Sequence, residues 1–285
     1  MRIGHAQLDS QLADFDGNLA KVTASLARAD QERVDVVCFP ECFLTGYPDD
    51  GEVARRGAFT IDSPQIMRLL DESARFEAVG IVGFNELRGD DLYNTAVVFH
   101  KGHLLGHYSK CSAYMKFHKQ GREFPVFEHK GLKFGVVICS DGGYIEPTRL
   151  LALQGARVVF APHFNYINAP GLIRHFMHVR ADHTARAVEN SVYFVRGNNV
   201  SLGGKEESVS RYDGVGYGDS YIIDPAGEIV VRSRRHEEDF IFTDIDTTVT
   251  DKAWGVGKSL WSAREFGDRL RQLVEKASHP GVDAK

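Results

Sequence analysis

Phe134-Gly135-Val136-Val137-Ile138-Cys139-Ser140-Asp141 reads as a buried strand that ends on a thiol. Five apolar or small residues in a row suit a strand covered on both faces, because a wet face would demand polar alternation. Glu146-Pro147 then opens a helix through Gln154, with proline in the first turn, where it is tolerated. The run over residues 34–39 has the same form, and Pro40 stops it just before Glu41. Short apolar strands that end on polar residues and alternate with helices are the sequence form of a layered α/β protein.

Working outward from these two runs, residues 1–8 read as a strand and 18–29 and 64–76 as helices. Residues 79–87, 92–100 and 103–109 are β-rich segments joined by Gly-Asp-Asp and Lys-Gly, turns that favour hairpins and so a mixed sheet. Strands at 158–161 and 192–197 flank a helix within 172–190. Residues 221–224 and 228–232 flank Pro-Ala-Gly, and 240–245 forms a last strand. With no internal repeat and no Pro- or Ser-rich linker, one domain is expected over residues 1–285. Its C-terminal tail, 263–285, carries a charged amphipathic helix at 263–277 that packs on a neighbour.

Lys and Arg number 34 against 39 Asp and Glu, a net charge of −5, so no broad basic face is expected for nucleic acid. No apolar run approaches the ~20 residues of a membrane span. The opening MRIGHAQLDSQ enters a strand pattern without the apolar core of a secretory signal, and a cytoplasmic protein is expected. Four cysteines, Cys38, Cys42, Cys111 and Cys139, are too few and too irregular for a disulfide framework in a chain of 285 residues.

Glu41 and Cys139 each follow a buried strand, and Lys110 ends the strand at 103–109. Sheets of this class bind ligands at strand carboxyl ends. A thiol before a helix start also meets the positive end of the dipole, so a stabilised thiolate is expected at Cys139. Lys110 supplies a cation for an oxyanion. Each residue alone also fits a plain role: a small core thiol, a first-turn carboxylate, an exposed strand-end lysine. His175, His178 and His183 share one helix but lack the H-E-x-x-H pattern, which favours surface or substrate-loop roles over a metal site. Gly214-Val215-Gly216-Tyr217-Gly218 precedes a strand where a dinucleotide loop would follow one.

Taken together, Phe39-Pro40-Glu41, Tyr108-Ser109-Lys110 and Ile138-Cys139-Ser140-Asp141, with Glu146 seven residues beyond the cysteine, resemble the signature segments of the nitrilase superfamily of carbon-nitrogen hydrolases. Gly46-Tyr47-Pro48, Gly155-Ala156, Arg186-Ala187-Val188-Glu189-Asn190, Gly218-Asp219-Ser220 and Asp224-Pro225-Ala226-Gly227 extend the resemblance over nearly the whole chain. It implies a four-layer αββα sandwich, a Glu41-Lys110-Cys139 triad, a homodimer or higher oligomer formed through helical layers, and neither metal nor cofactor. In such a site Cys139 attacks a carbonyl and Glu41 carries the proton, while Lys110 and the backbone N–H of Ser140 hold the oxyanion. Asp141 and Glu146 take structural roles at the turn and helix start, with Arg149 as a candidate partner for such a carboxylate.

One departure bears on the substrate. Many amidases of this family carry a second Glu after the lysine, whereas residues 111–122 contain no carboxylate; Tyr114, His118 and Glu123 stand nearest. Gly142-Gly143 follows the nucleophile where arginines grip the carboxylate of N-carbamoyl amino acids in some relatives. Tyr47, Tyr114, the loop His163-Phe164-Asn165-Tyr166, and Arg174-His175 are the candidates to shape a pocket. The expected activity is hydrolysis of a small linear amide or N-carbamoyl amine. Nitrile hydrolysis and acyl transfer to an amine use the same triad, and a catalytically silent binding protein is the alternative from another class.

Overall fold

Apolar runs with period-two or continuous burial become strands of two six-stranded sheets, and the 3.6-period segments become helices over their outer faces. The computed structural model describes residues 1–201, 214–246, 248 and 262–278. The first sheet collects β1 (Arg2–Gln7), β2 (Val36–Cys38), β3 (Val79–Arg88), β4 (Asp91–His100), β5 (His103–Ser109) and the last strand, β14 (Asp239–Asp244). Helices α1 (Phe15–Gln31), α2 (Gly51–Gly57) and α3 (Pro64–Ser73) interrupt it. The second sheet collects β6 (Val126–His129), β7 (Leu132–Val136), β8 (Val158–Pro162), β10 (Tyr193–Gly197), β12 (Tyr221–Ile223) and β13 (Ile229–Arg232), with α4 (Ile145–Leu153) and α5 (Leu172–Asn190) between strands. A small ribbon pairs β9 (Tyr166–Ile167) with β11 (Val215–Gly216), and α6 (Ala263–Ser278) closes the described chain.

The strand orders, β14-β1-β2-β3-β4-β5 and β13-β12-β10-β8-β7-β6, give both sheets one plan. Parallel central strands, β1/β2/β3 and β7/β8/β10, are flanked by antiparallel ones. The inner faces pack on each other, Ile3, Val36, Ile81 and Val98 meeting Phe134, Val136, Phe160 and Val195. Leu19, Val22 and Leu26 of α1 cover the outer face of the first sheet, and Leu151, Ala152 and Ala187 of α4 and α5 cover that of the second. The layers thus run helix, sheet, sheet, helix, as the resemblance implies. Full burial of each large apolar side chain contributes about 1.5–3 kcal/mol, and the inter-sheet layer holds many of them.

Two glycines set close approaches that bear on the site. A Cβ on Gly83 of β3 would fall 2.6 Å from the Cys42 nitrogen, so the segment carrying Glu41 lies directly against this strand. A Cβ on Gly135 would fall 2.6 Å from Leu151, which lets α4 seat on β7 just beyond the Cys139 turn.

The β9–β11 ribbon was not expected; otherwise expected and observed elements coincide closely, with three further differences. β6 was not expected, because Val-Phe-Glu-His lacks an apolar run; the Lys130-Gly131 turn nevertheless pairs it with β7. β7 accordingly begins at Leu132 and ends at Val136, and Val137 continues as extended chain bonded to Phe160 O at 2.9 Å. Helix α2 also went unseen, since Gly51-Glu52-Val53-Ala54-Arg55-Arg56-Gly57 offers one buried side chain, Ala54. The tail helix forms as expected and the described side chains of 264–275 are mostly exposed; residues 279–285 lie outside the described residues. Among the described residues no helix is long and apolar enough to cross a membrane.

Candidate active site

Pro40 ends the run of β2 and the next residue, Glu41, turns back under the sheets with its carboxylate sealed from solvent. A buried carboxylate demands donors. Its Oε1 accepts Lys110 Nζ at 2.7 Å and Asn94 Nδ2 at 2.7 Å, and its Oε2 accepts the Phe164 N–H at 2.9 Å. Lys110 leaves the end of β5 with its backbone N–H on Asn94 O at 2.8 Å. Glu41 N–H donates to His163 O at 3.2 Å. The carboxylate therefore ties together β4, β5 and the loop after β8, which belongs to the other sheet. Burial opposes the Lys110 charge, but the negative charge Cys139 carries once ionised and the Glu41 carboxylate in contact with it outweigh burial and hold the ammonium well above its ordinary pKa.

Cys139 begins a short 3-10 turn, Cys139–Gly143, with φ at +51°, the left-handed region that costs a non-glycine residue about 1–3 kcal/mol. Asp141 holds this strained turn. Its Oδ2 accepts the Ile138 N–H at 3.0 Å and the Tyr108 hydroxyl at 2.7 Å, while Oδ1 accepts the Ser112 N–H at 2.7 Å and the Ser112 hydroxyl. The thiol differs from expectation. Burial first, and the Glu41 carboxylate second, push it up to about 12 against a downward pull from Lys110. The dipole of α4 does not reach the thiol, because the helix begins only at Ile145 and the field of a helix fades within its first turn. The resting sulfur therefore keeps its proton.

A cavity of about 790 Å³ opens over Cys139 and Ser140, and all eight residues expected to shape a pocket line it: Tyr47, Tyr114, His163, Phe164, Asn165, Tyr166, Arg174 and His175. The Tyr47 ring stacks on Phe164 with centroids 4.7 Å apart and planes at 6°, making a flat wall. Tyr114 and Arg174 are exposed at the rim. His163 Nδ1 lies 2.6 Å from Ala161 O, and burial with the nearby Arg196 charge holds the imidazole well below its usual pKa, hence neutral. The three helix histidines all border the cavity and differ in their partners: His178 pairs with Asp182 at 3.1 Å, and the buried His183 meets the Tyr221 hydroxyl at 2.9 Å.

Other expectations fail locally. Glu146 is exposed in the first turn of α4 and makes no capping hydrogen bond, so its contribution is limited to charge at a helix start. Arg149 donates to the Glu189 backbone oxygen at 2.9 Å rather than to a carboxylate, because the helix carries it towards the end of α5. Of the candidates for the missing second Glu, His118 points to Asn85 Oδ1 at 2.8 Å and Glu123 lines a separate small cavity beside Arg88 and Tyr93. Only Tyr114 reaches the Cys139 cavity.

Sequence reasoning missed Asn94 and Arg196. Both interrupt apolar strands, Leu92-Tyr93-Asn94-Thr95-Ala96-Val97 and Tyr193-Phe194-Val195-Arg196-Gly197. That is itself the signal, since a polar group inside a buried strand must find a partner.

The whole-chain comparisons agree with the geometry. A family model described as carbon-nitrogen hydrolase matches residues 2–253. A nitrilase of Pyrococcus abyssi is 30% identical over 253 residues, covering 86% of this chain and 90% of its own. A glutamine-dependent NAD(+) synthetase of Thermotoga maritima is 29% identical over 261 residues, and this chain spans 42% of its length. An amidase of Nesterenkonia, from the nitrilase superfamily, shares the fold with a TM-score of 0.71 at 20% identity, over 95% of this chain and 97% of that one. The family match contains the strand ends that carry Glu41, Lys110 and Cys139, and the chain belongs to the carbon-nitrogen hydrolase family of the nitrilase superfamily.

Proposed function

We propose that this hydrolase cleaves a small linear amide or N-carbamoyl amine through a thioester on Cys139. The supporting observation is the meeting of the Glu41 carboxylate, the Lys110 ammonium and the Cys139 thiol beneath an open cavity. An amide is a poor electrophile with a poor leaving group, and acyl transfer to sulfur divides its hydrolysis into two easier steps. Glu41 takes the thiol proton as sulfur bonds to the carbonyl carbon, which suits a resting thiol that does not ionise unaided. Negative charge grows on the carbonyl oxygen, where Lys110 and the Ser140 N–H receive it. The C–N bond breaks as Glu41 passes the proton to the departing ammonia or amine. Water then attacks the thioester, gives a proton to Glu41, and releases the acid as the proton returns to sulfur.

The pocket supports a flat or apolar acyl portion against the Tyr47–Phe164 wall. Gly142-Gly143 beside the nucleophile offers no cationic grip, and Arg174 at the rim is the cation available to a distal carboxylate. The test is ammonia release from a panel of linear amides, N-carbamoyl amines and nitriles. Amide or carbamoyl turnover above nitrile turnover supports the reading. A nitrile preference, or product formation only with an added amine acceptor, would replace it with one of the other activities of the triad.

A further inference from the structure

Arg196 lies in β10, in the second sheet, and is 1% exposed. Burying a guanidinium is costly unless its charge is met, and among the described residues no ion pair involves it. Asp219 commits its carboxylate to Arg180 and Arg235, giving Arg196 only its backbone oxygen at 2.7 Å. The other Nη1 bond goes to Gly218 O at 3.2 Å, and the head lies over the Tyr217 and Tyr221 rings. Nη2 donates to the Tyr217 hydroxyl and to Asn165 Oδ1, each at 2.7 Å. Guanidinium only donates, so this bond fixes which end of the Asn165 carboxamide faces it. The amide nitrogen must then point the other way, and it lies 3.7 Å from the Cys139 sulfur. Asn198 Oδ1 pins the Asn165 backbone N–H at 2.9 Å and completes the clamp.

We infer that Asn165 donates an N–H to the Cys139 sulfur and that Arg196 is the positioning residue that locks the carboxamide in that orientation. The inference rests on the reading of Cys139 as nucleophile and adds a donor aimed at sulfur, where charge gathers before the C–S bond forms. The charged groups that face the sulfur are Glu41, Lys110 and Asp141, and Asn165 joins them as a neutral donor. It strengthens as the sulfur becomes negative, so it favours attack more than substrate binding. The Arg196 charge polarises the same amide.

The test reads the sulfur without any substrate: the second-order rate of Cys139 alkylation by iodoacetamide at pH 8, with the labelled peptide identified by mass spectrometry. Asn165→Asp keeps the side-chain shape and keeps Arg196 paired, but turns an acceptor toward the sulfur. Alkylation is expected to slow about tenfold or more, one unit of thiol pKa being tenfold in thiolate. Arg196→Gln is expected to slow it too, and adding Arg196→Gln to Asn165→Ala is expected to slow it no further. With an active substrate, kcat falls in all three single variants while KM stays close to that of the parent. A folded Asn165→Asp protein that alkylates at the parent rate or faster, or Arg196→Gln and Asn165→Ala effects that multiply, overturns the inference. If Arg196→Gln does not fold, Asn165→Asp decides alone. Because alkylation displaces iodide and breaks no C–N bond, its outcome is separate from whether the amide panel finds a substrate.

Discussion

The Lys110 ammonium lies 2.7 Å from the Glu41 carboxylate, with both side chains closed to solvent at 1% and 0% exposure. A pair this deep is held by mutual need, because removing one partner strands the other. Breaking such a pair typically costs about 3–5 kcal/mol. Glu41 keeps the Asn94 and Phe164 donors when the lysine is lost, so Lys110→Met is expected towards the lower end of that range in chemical denaturation. Its turnover is expected to fall about 10²–10³-fold, as for loss of one oxyanion donor, with substrate binding comparatively intact. Near-parent turnover in a folded Lys110→Met protein would reduce the lysine to a structural partner of Glu41.

Glu41 raises the Cys139 thiol and Lys110 lowers it. Replacing the carboxylate by a neutral amide leaves the cation unopposed, so Glu41→Gln is expected to make Cys139 alkylate faster at pH 8 while amide turnover disappears. Opposite signs in the two assays mark a proton carrier. A parallel fall in both would show that Glu41 supports the site only as scaffolding.

Asp141 accepts from backbone and side-chain donors beneath the Cys139 turn and ties them together. Asp141→Ala orphans buried groups that each cost about 1–3 kcal/mol, so its thermal midpoint is expected to fall by many degrees. Asp141→Asn retains an acceptor and is expected to fall less. Equal, small shifts in both variants would remove Asp141 from its structural role. Glu146→Ala, at an exposed position, is the control expected to change neither stability nor activity.

Buried histidines make the fold sensitive to mild acid. Burial is the main cause that lowers His5 to about 3 and His118 to about 4, and it holds His163 and His183 well below the ordinary value. Below pH 6.5 the unfolded chain takes up protons that the folded chain refuses, so ν_U exceeds ν_N and stability rises with pH. The stability is complete above pH 6.5 and declines as pH falls towards 4, at up to about 1.4 kcal/mol per pH unit for each histidine. Urea midpoints at pH 7.5, 6, 5 and 4.5 check this; a flat profile across that range would contradict the neutral, buried assignment.

The outline of the sheets was legible because continuous apolar runs such as Val158-Val159-Phe160-Ala161 leave little choice but a covered strand. Glu41 and Cys139 were legible for a related reason, each being a reactive group placed where such a strand ends, and Lys110 because it ends the edge strand β5. The protonated state of Cys139 was not, since it depends on a carboxylate 98 residues away in sequence and on the depth of the site. Nor was the clamp on Asn165, because Arg196 lies on another strand and sequence spacing says nothing about which side chain it meets. The fate of Arg149 was likewise decided by the packing of α4 on α5. Local pattern specified the elements; charge state and partner choice arose only from their assembly.

The most direct test of the central claim is a rapid acid quench of a single turnover with the best amide of the panel, followed by mass spectrometric mapping of the protein. One added acyl mass is expected, confined to the peptide containing Cys139, forming at least as fast as kcat and absent from a folded Cys139→Ser protein that has lost turnover. An acyl mass on Cys42, Cys111 or any other residue, or full ammonia release by Cys139→Ser, would contradict it.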